Sequence, residues 1–193
     1  MEIKAQLDKP YTAEQRINFI IAQNHKLGYE IKETSTALEA WGYTEEEKQQ
    51  QEKERIATLS LTKREVFLGL YQAKGITPDM IKAQIADPTA LIEFEYANDY
   101  YRGNPLIDVI GAKLGITSEQ LDKFFDTNDY RYLTTCKLTI NATPEESTVT
   151  GAGDYPYGSI AHYKVECEGY KSVEGDVELI NDTVIDVVLE VEE

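Results

Sequence analysis

Residues 111–125 read GAKLGITSEQLDKFF, and the fold turns on what this stretch is. Gly111 is followed four positions later by Gly115, then by Ile116, and Leu121 lies six beyond Gly115. Two short helices need that spacing to cross at a tight turn, as a DNA-reading helix-turn-helix does. Working outward, KGITPDMIKAQI (74–85) matches LGITSEQLDKFF (114–125), with Thr77 and Thr117 forty positions apart. Ahead of them, Val66, Phe67 and Leu70 align with Leu106, Ile107 and Ile110. A helix–Gly-Ile-Thr–helix unit therefore occurs twice. Two copies are too few for a solenoid, so the expectation is a pseudo-symmetric bundle of five helices over residues 61–133.

The geometry fits DNA recognition, but the chemistry does not. A reading helix needs Lys or Arg to neutralise phosphates. The second helix instead offers Glu119, Asp122 and Asp126 against Lys123. Glu119 also occupies the helix N-terminus, where free N–H groups would otherwise attract phosphate. In the first copy Tyr71 stands where the small residue should be. The turn is read as packing, and no nucleic-acid partner is expected.

Punctuation is clear through the rest of this half. Thr62 caps with Glu65, Gly75 is a stop, Thr77-Pro78 and Asp87-Pro88 are cap–proline starts, and Asn104-Pro105 opens another helix. Gly103 reads as the stop of a long helix carrying Phe94, Tyr96, Tyr100 and Tyr101. Residues 44–60 read as a connector helix, polar nearly all round, which suits a solvent-bridging element or an arm for a partner helix. Residues 1–43 read as a β-α-β module: an alternating strand over 1–7, a helix capped by Thr12 and Gln15 and stopped by Gly28, then YEIKE. TALEAW is open between strand and helical turn. After Tyr132 helical periodicity gives way to alternating β-branched residues. Five short strands follow, the pattern of a small sandwich over 134–193. The fold class is α+β, with an exposed linker expected near 127–136.

The net charge is −16. Residues 134–193 hold 3 Lys+Arg against 13 Asp+Glu, so much of the excess lies there. Such a chain is repelled by phosphate backbones and anionic membranes. No apolar run approaches the ~20 residues that span a bilayer, and MEIKAQLDKPYT has no signal-peptide core; synthesis and retention in a cytoplasm are expected, without membrane insertion. Cys136 and Cys167 are expected to face inward, as thiols or as a cross-sheet bridge. His25 and His162 are isolated from other ligands, so no metal is expected. DTND (126–129) lacks the glycine and distal Glu of a calcium loop. No nucleophile motif or phosphate loop is present, so no catalytic residues, no cofactor and no enzyme activity are expected. The binding candidates are Tyr155 and Tyr157, in the Gly/Pro-rich stretch GAGDYPYGS at the end of the sandwich. They read either as exposed contact residues or as a stiffened turn.

Four blocks carry a resemblance: AQLDKPYTAEQRINFI, GYEIKETSTALEAWGYTEEE, YRGNPLIDVIGAKLGIT and QLDKFFDTNDY. They resemble small proteins encoded beside tail-fibre genes in phages and prophages of gut bacteria, over residues 1 to 132. LTINATPEESTVT with VECEGYKSVEGDVEL resembles PEGA-like and Ig-like surface domains, with Val165, Gly169, Tyr170, Gly175 and Val177 in the pattern and Glu145 replacing the usual glycine. The resemblance implies a non-enzymatic phage tail or fibre protein, assembled in the host cytoplasm and carried in the virion. Its partners would be other tail or fibre proteins, with a host-surface glycan or protein at the adhesive end and a homo-oligomer allowed. The alternative is a tail-fibre assembly chaperone absent from the mature particle.

Overall fold

The computed structural model describes residues 1–192. The chain is α+β, and its packing divides it into two compact units, Met1–Arg55 and the remainder from Ile56. That division falls inside the polar helix.

In the first unit, β1 (Glu2–Asp8), β2 (Glu30–Glu33) and β3 (Ala37–Gly42) form an antiparallel sheet in the order β1-β3-β2. TALEAW is thus largely strand, and it supplies the central one. Leu38 and Ala40 are fully buried, as a central strand requires. Helix α1 (Ala13–Ile20) starts at the expected capping box and runs into a π-helical turn, Ile21–His25. It buries none of its residues, and Ile17, Ile21 and Leu27 are exposed. Helix α2 (Glu45–Ala57) buries none either.

The second unit opens with β4 (Ser60–Thr62) and α3 (Lys63–Lys74), followed by α4 (Pro78–Lys82) and α5 (Pro88–Tyr96). The repeat then returns as β5 (Asp99–Tyr101), α6 (Pro105–Lys113), α7 (Ser118–Thr127) and a 3-10 turn, Tyr130–Leu133. β4 and β5 pair antiparallel, Leu61 opposite Tyr100. The repeated unit is therefore strand–helix–Gly-Ile-Thr–helix, and its two strands pair with each other. This corrects the long helix ending at Gly103: it stops at Tyr96, and Tyr100 and Tyr101 lie on a strand. Sequence periodicity over three residues cannot reveal that, because the strand exists only through its distant partner.

Gly75 and Gly115 close their helices at φ 66° and 67°, the left-handed conformation that glycine adopts without strain. Gly111 serves the other purpose anticipated for it. A Cβ there would sit 2.6 Å from Leu121 Cδ1, so the missing side chain is what lets α6 and α7 cross. Gly69 does the same for Phe124, whose ring end would lie 2.5 Å from a Cβ. The two copies also grip each other: Lys74 Nζ donates to Gly115 O at 3.2 Å, and Lys113 Nζ to Gln84 O at 2.5 Å.

The segment 127–136 is folded, contrary to the exposed linker expected. Asn128 ends α7 in the left-handed region and donates to Glu65 Oε1 at 3.1 Å. Asp129 caps the turn through Arg131 N at 3.0 Å. Leu133 is fully buried in the helical core. DTND thus ends α7 and caps the following turn, with Thr127 and Asn128 exposed.

Beyond it lie six strands, where five were expected: β6 (Thr135–Thr143), β7 (Thr148–Thr150), β8 (Gly153–Pro156), β9 (Ser159–Glu166), β10 (Val173–Leu179) and β11 (Thr183–Val188). They form two three-stranded sheets, β10-β9-β7 and β11-β6-β8, with β11 and β6 parallel. Both sheets contribute to two apolar clusters, one around Leu138, Ala161 and Leu179, the other around Val165, Val187 and Leu189. Gly175 lies opposite Tyr163 on β9, and its missing Cβ leaves room for that ring. Cys136 and Cys167 are free thiols; burial first, then the nearby Asp182 carboxylate, raises the Cys136 thiol above its usual range.

Candidate functional site

The residues proposed for contact do not form an exposed loop. Tyr155 lies on β8 opposite Cys136, packs against the Leu138 cluster and donates from its hydroxyl to Gly151 O at 2.7 Å. Tyr157 meets Tyr132 edge-on, with ring centroids 5.3 Å apart, and the Arg131 guanidinium sits 5.1 Å from the Tyr157 ring centre. Both are half-buried. The Gly/Pro-rich stretch, read either as a contact loop or as a stiffened turn, forms a short strand and a turn whose Tyr157 N donates to Thr134 O. Replacing both tyrosines would therefore disturb folding, because both sit among core or hinge contacts.

A recess of about 250 Å³ lies inside the helical bundle. Its floor comes from both copies and the helix between them: Leu70 of α3, Phe94 of α5, Ile110 of α6, and Leu121 and Phe124 of α7. Half-buried Leu106, Ile107 and Leu114 border it, and Glu93, Asp99, Tyr101 and Asn104 supply its polar groups. The cause is local. α6 starts at Pro105 and presents the half-buried Leu106 and Ile107 in its first turn, on the border of the recess. On one flank Phe94 stacks on Tyr100 at 5.6 Å, and the buried Tyr100 hydroxyl donates to Phe94 O at 2.7 Å. Burial pushes that phenol's pKa up to about 12.

An empty apolar void costs about 24 cal/mol per Å³. A closed one of 250 Å³ would cost up to about 6 kcal/mol, comparable with the whole stability of a small domain. Opening to solvent reduces that cost but leaves apolar walls wet. A recess of this size and composition is the default place to look for an occupant.

Sequence reading missed the charge cluster beside it. Arg102 is buried, 5% exposed. Its guanidinium donates to both Asp108 carboxylate oxygens at 3.0 and 2.9 Å, and to Ser118 Oγ at 2.6 Å. Its Nε lies 2.6 Å from Asp122 Oδ1 but off the N–H line, an ion pair rather than a hydrogen bond. Burial opposes the Arg102 charge, yet Asp108 and Asp122 outweigh it and hold the guanidinium pKa above its ordinary value. Burial likewise opposes the Asp108 charge, and Arg102 with Ser118 overrides it, holding that carboxyl below the usual range. The cluster ties β5, α6 and α7 together. Its sequence signal is a lone Arg before Gly-Asn-Pro with an Asp six positions on. Asp122, counted above among the acidic residues of the second helix, is thus paired with Arg102.

His162 Nδ1 lies 2.9 Å from Asp176 Oδ1 on the exposed face of β9 and β10. Among the described residues no three His, Cys, Asp or Glu side chains gather as a metal site would need, and no helix is long and apolar enough to cross a membrane. Comparison with known proteins finds no match to a family model, to a curated protein or to a solved structure.

Proposed function

We propose that this chain is a non-enzymatic structural protein of a phage tail or tail fibre. Residues 1–133 dock to other virion proteins. Residues 134–193 form an Ig-like, PEGA-like module that spaces or projects, and residues 1–43 serve as a β-α-β docking module. The observation that carries this reading is the character of the recess. Its lining is mostly apolar, with Glu93, Asp99, Tyr100, Tyr101 and Asn104 as the polar side chains, a character that suits contact. The exposed Ile17, Ile21 and Leu27 in the first unit add apolar surface that a docked partner would cover.

Mass spectrometry of purified particles tests the proposal. Stoichiometric presence in the virion is expected. Absence from particles, together with co-purification with an unassembled fibre, would replace the structural role by the chaperone. A complex with duplex DNA at low salt that weakens as salt is added would replace both by a regulator.

A further inference from the structure

We propose that the bundle recess is an anchor pocket for one aromatic side chain of a partner protein, presented between Arg or Lys residues. This deepens the docking reading above and rests on it. Size narrows the occupant first. At about 250 Å³ the recess falls below the roughly 300–1,000 Å³ of pockets that enclose drug-sized ligands. It exceeds the roughly 150 Å³ cavity that accepts a benzene ring. One large ring fits, and apolar pockets filled by single Trp or Tyr anchors carry most of the affinity at protein interfaces.

Charge narrows it second. The ionisable groups bordering the recess are the exposed Glu93 and Asp99, with the phenols of Tyr100 and Tyr101; no cation borders it. Asn104 Nδ2 donates to Glu93 Oε1 at 2.6 Å, which holds that carboxylate in place. Tyr101, 57% exposed, offers a ring face that favours a guanidinium. Arg102, the cation next in sequence, is turned away and spent on Asp108, Asp122 and Ser118. A net charge of −16 steers a basic segment toward the chain and repels an acidic one.

The test uses the full chain and blocked tripeptides Arg-Trp-Arg, Glu-Trp-Glu and Arg-Ala-Arg, followed by methyl NMR of Ile107, Ile110 and Leu114. Arg-Trp-Arg should shift these methyls and saturate. Glu-Trp-Glu should bind about tenfold or more weakly, with a gap that narrows at high salt. Arg-Ala-Arg should leave the methyls unmoved. Glu93→Gln with Asp99→Asn should shrink the difference between the two Trp peptides while the ring still enters. Ile107→Trp should plug the recess and abolish the shifts; Leu106→Trp is the second plug if the first variant does not fold. Equal binding of both Trp peptides, or no methyl shift with Arg-Trp-Arg, overturns the proposal. Methyl shifts that change on dilution without peptide would give the pocket to a second copy and overturn it as well. These peptides are independent of the particle, so their failure removes the anchor and leaves the virion result standing. A chain missing from particles removes the tail role and leaves the peptide result standing.

Discussion

The two copies of the strand–helix–Gly-Ile-Thr–helix unit share a local code and end in different structures. In the first, α4 runs for five residues and buries Ile81; in the second, α7 runs for ten and buries Gln120, Leu121, Phe124 and Phe125. Both start after a Thr cap. At the position forty before Gln120 stands Met80, which is 50% exposed. Thr117 therefore has a reciprocal cap, with Gln120 N to Thr117 Oγ1 at 3.2 Å and Thr117 N to Gln120 Oε1 at 3.0 Å, whereas Thr77 has a single bond of 3.4 Å. Gln120 also donates to Thr134 O at 3.1 Å, joining α7 to the start of the sheets. At the position forty before Phe124 stands the exposed Gln84. Caps decide where a helix begins; a buried partner decides how far it continues.

The largest effect should come from cutting that partner out. Phe124 is 1% exposed and lies against Gly69, so Phe124→Ala should cost about 3–5 kcal/mol in urea unfolding. Gln84→Ala, its counterpart, should stay within about 0.5 kcal/mol, because the bonds shown there are made by its backbone N–H and carbonyl, which alanine keeps. Similar costs at the two sites would mean that the copies are equivalent after all.

The next effect separates the paired strands by pH. Tyr100 on β5 is a buried phenol with its pKa raised to about 12, and its counterpart on β4 is Ser60. A raised folded-state pKa means that its contribution is complete below the free phenol value near 10 and is lost as pH rises toward 12. The loss should reach about 2–3 kcal/mol, at about 1.4 kcal/mol per unit. Tyr100→Phe should remove this alkaline slope while costing about 1 kcal/mol at neutral pH for the hydrogen bond to Phe94 O. The same slope in wild type and variant would assign the titration to other tyrosines.

The smallest effect comes from exchanging the caps. Gln120→Met makes the second copy resemble the first and should cost about 1–2 kcal/mol, since a cap and the bond to Thr134 O are lost together. Met80→Gln should gain a few tenths of a kcal/mol by completing a box at Thr77. Thermal unfolding read against wild type checks both, and a stabilising Gln120→Met would show that the box is decorative.

Where most elements start and stop is written locally in the chain. Caps, prolines and left-handed glycines act through bonds between residues two to four apart, so Thr12, Thr62, Thr77, Asp87, Asn104, Thr117, Gly75 and Gly115 were legible without a fold. The role of Gly111 at the helix crossing was legible for another reason, its spacing to Gly115 and Leu121 within one tight helix–turn–helix. Tertiary structure alone decided the rest. β4 and β5 exist because residues about forty apart pair; β8 exists because Gly153–Pro156 pairs with β6, which places Tyr155 on a strand and leaves Tyr157 in the turn after it. The recess and the Arg102 cluster have the same origin. An apolar Leu or a buried Arg reads alike in sequence whether its neighbours fill the space, leave it empty or neutralise its charge, and only the convergence of α3, α5, α6 and α7 settles which.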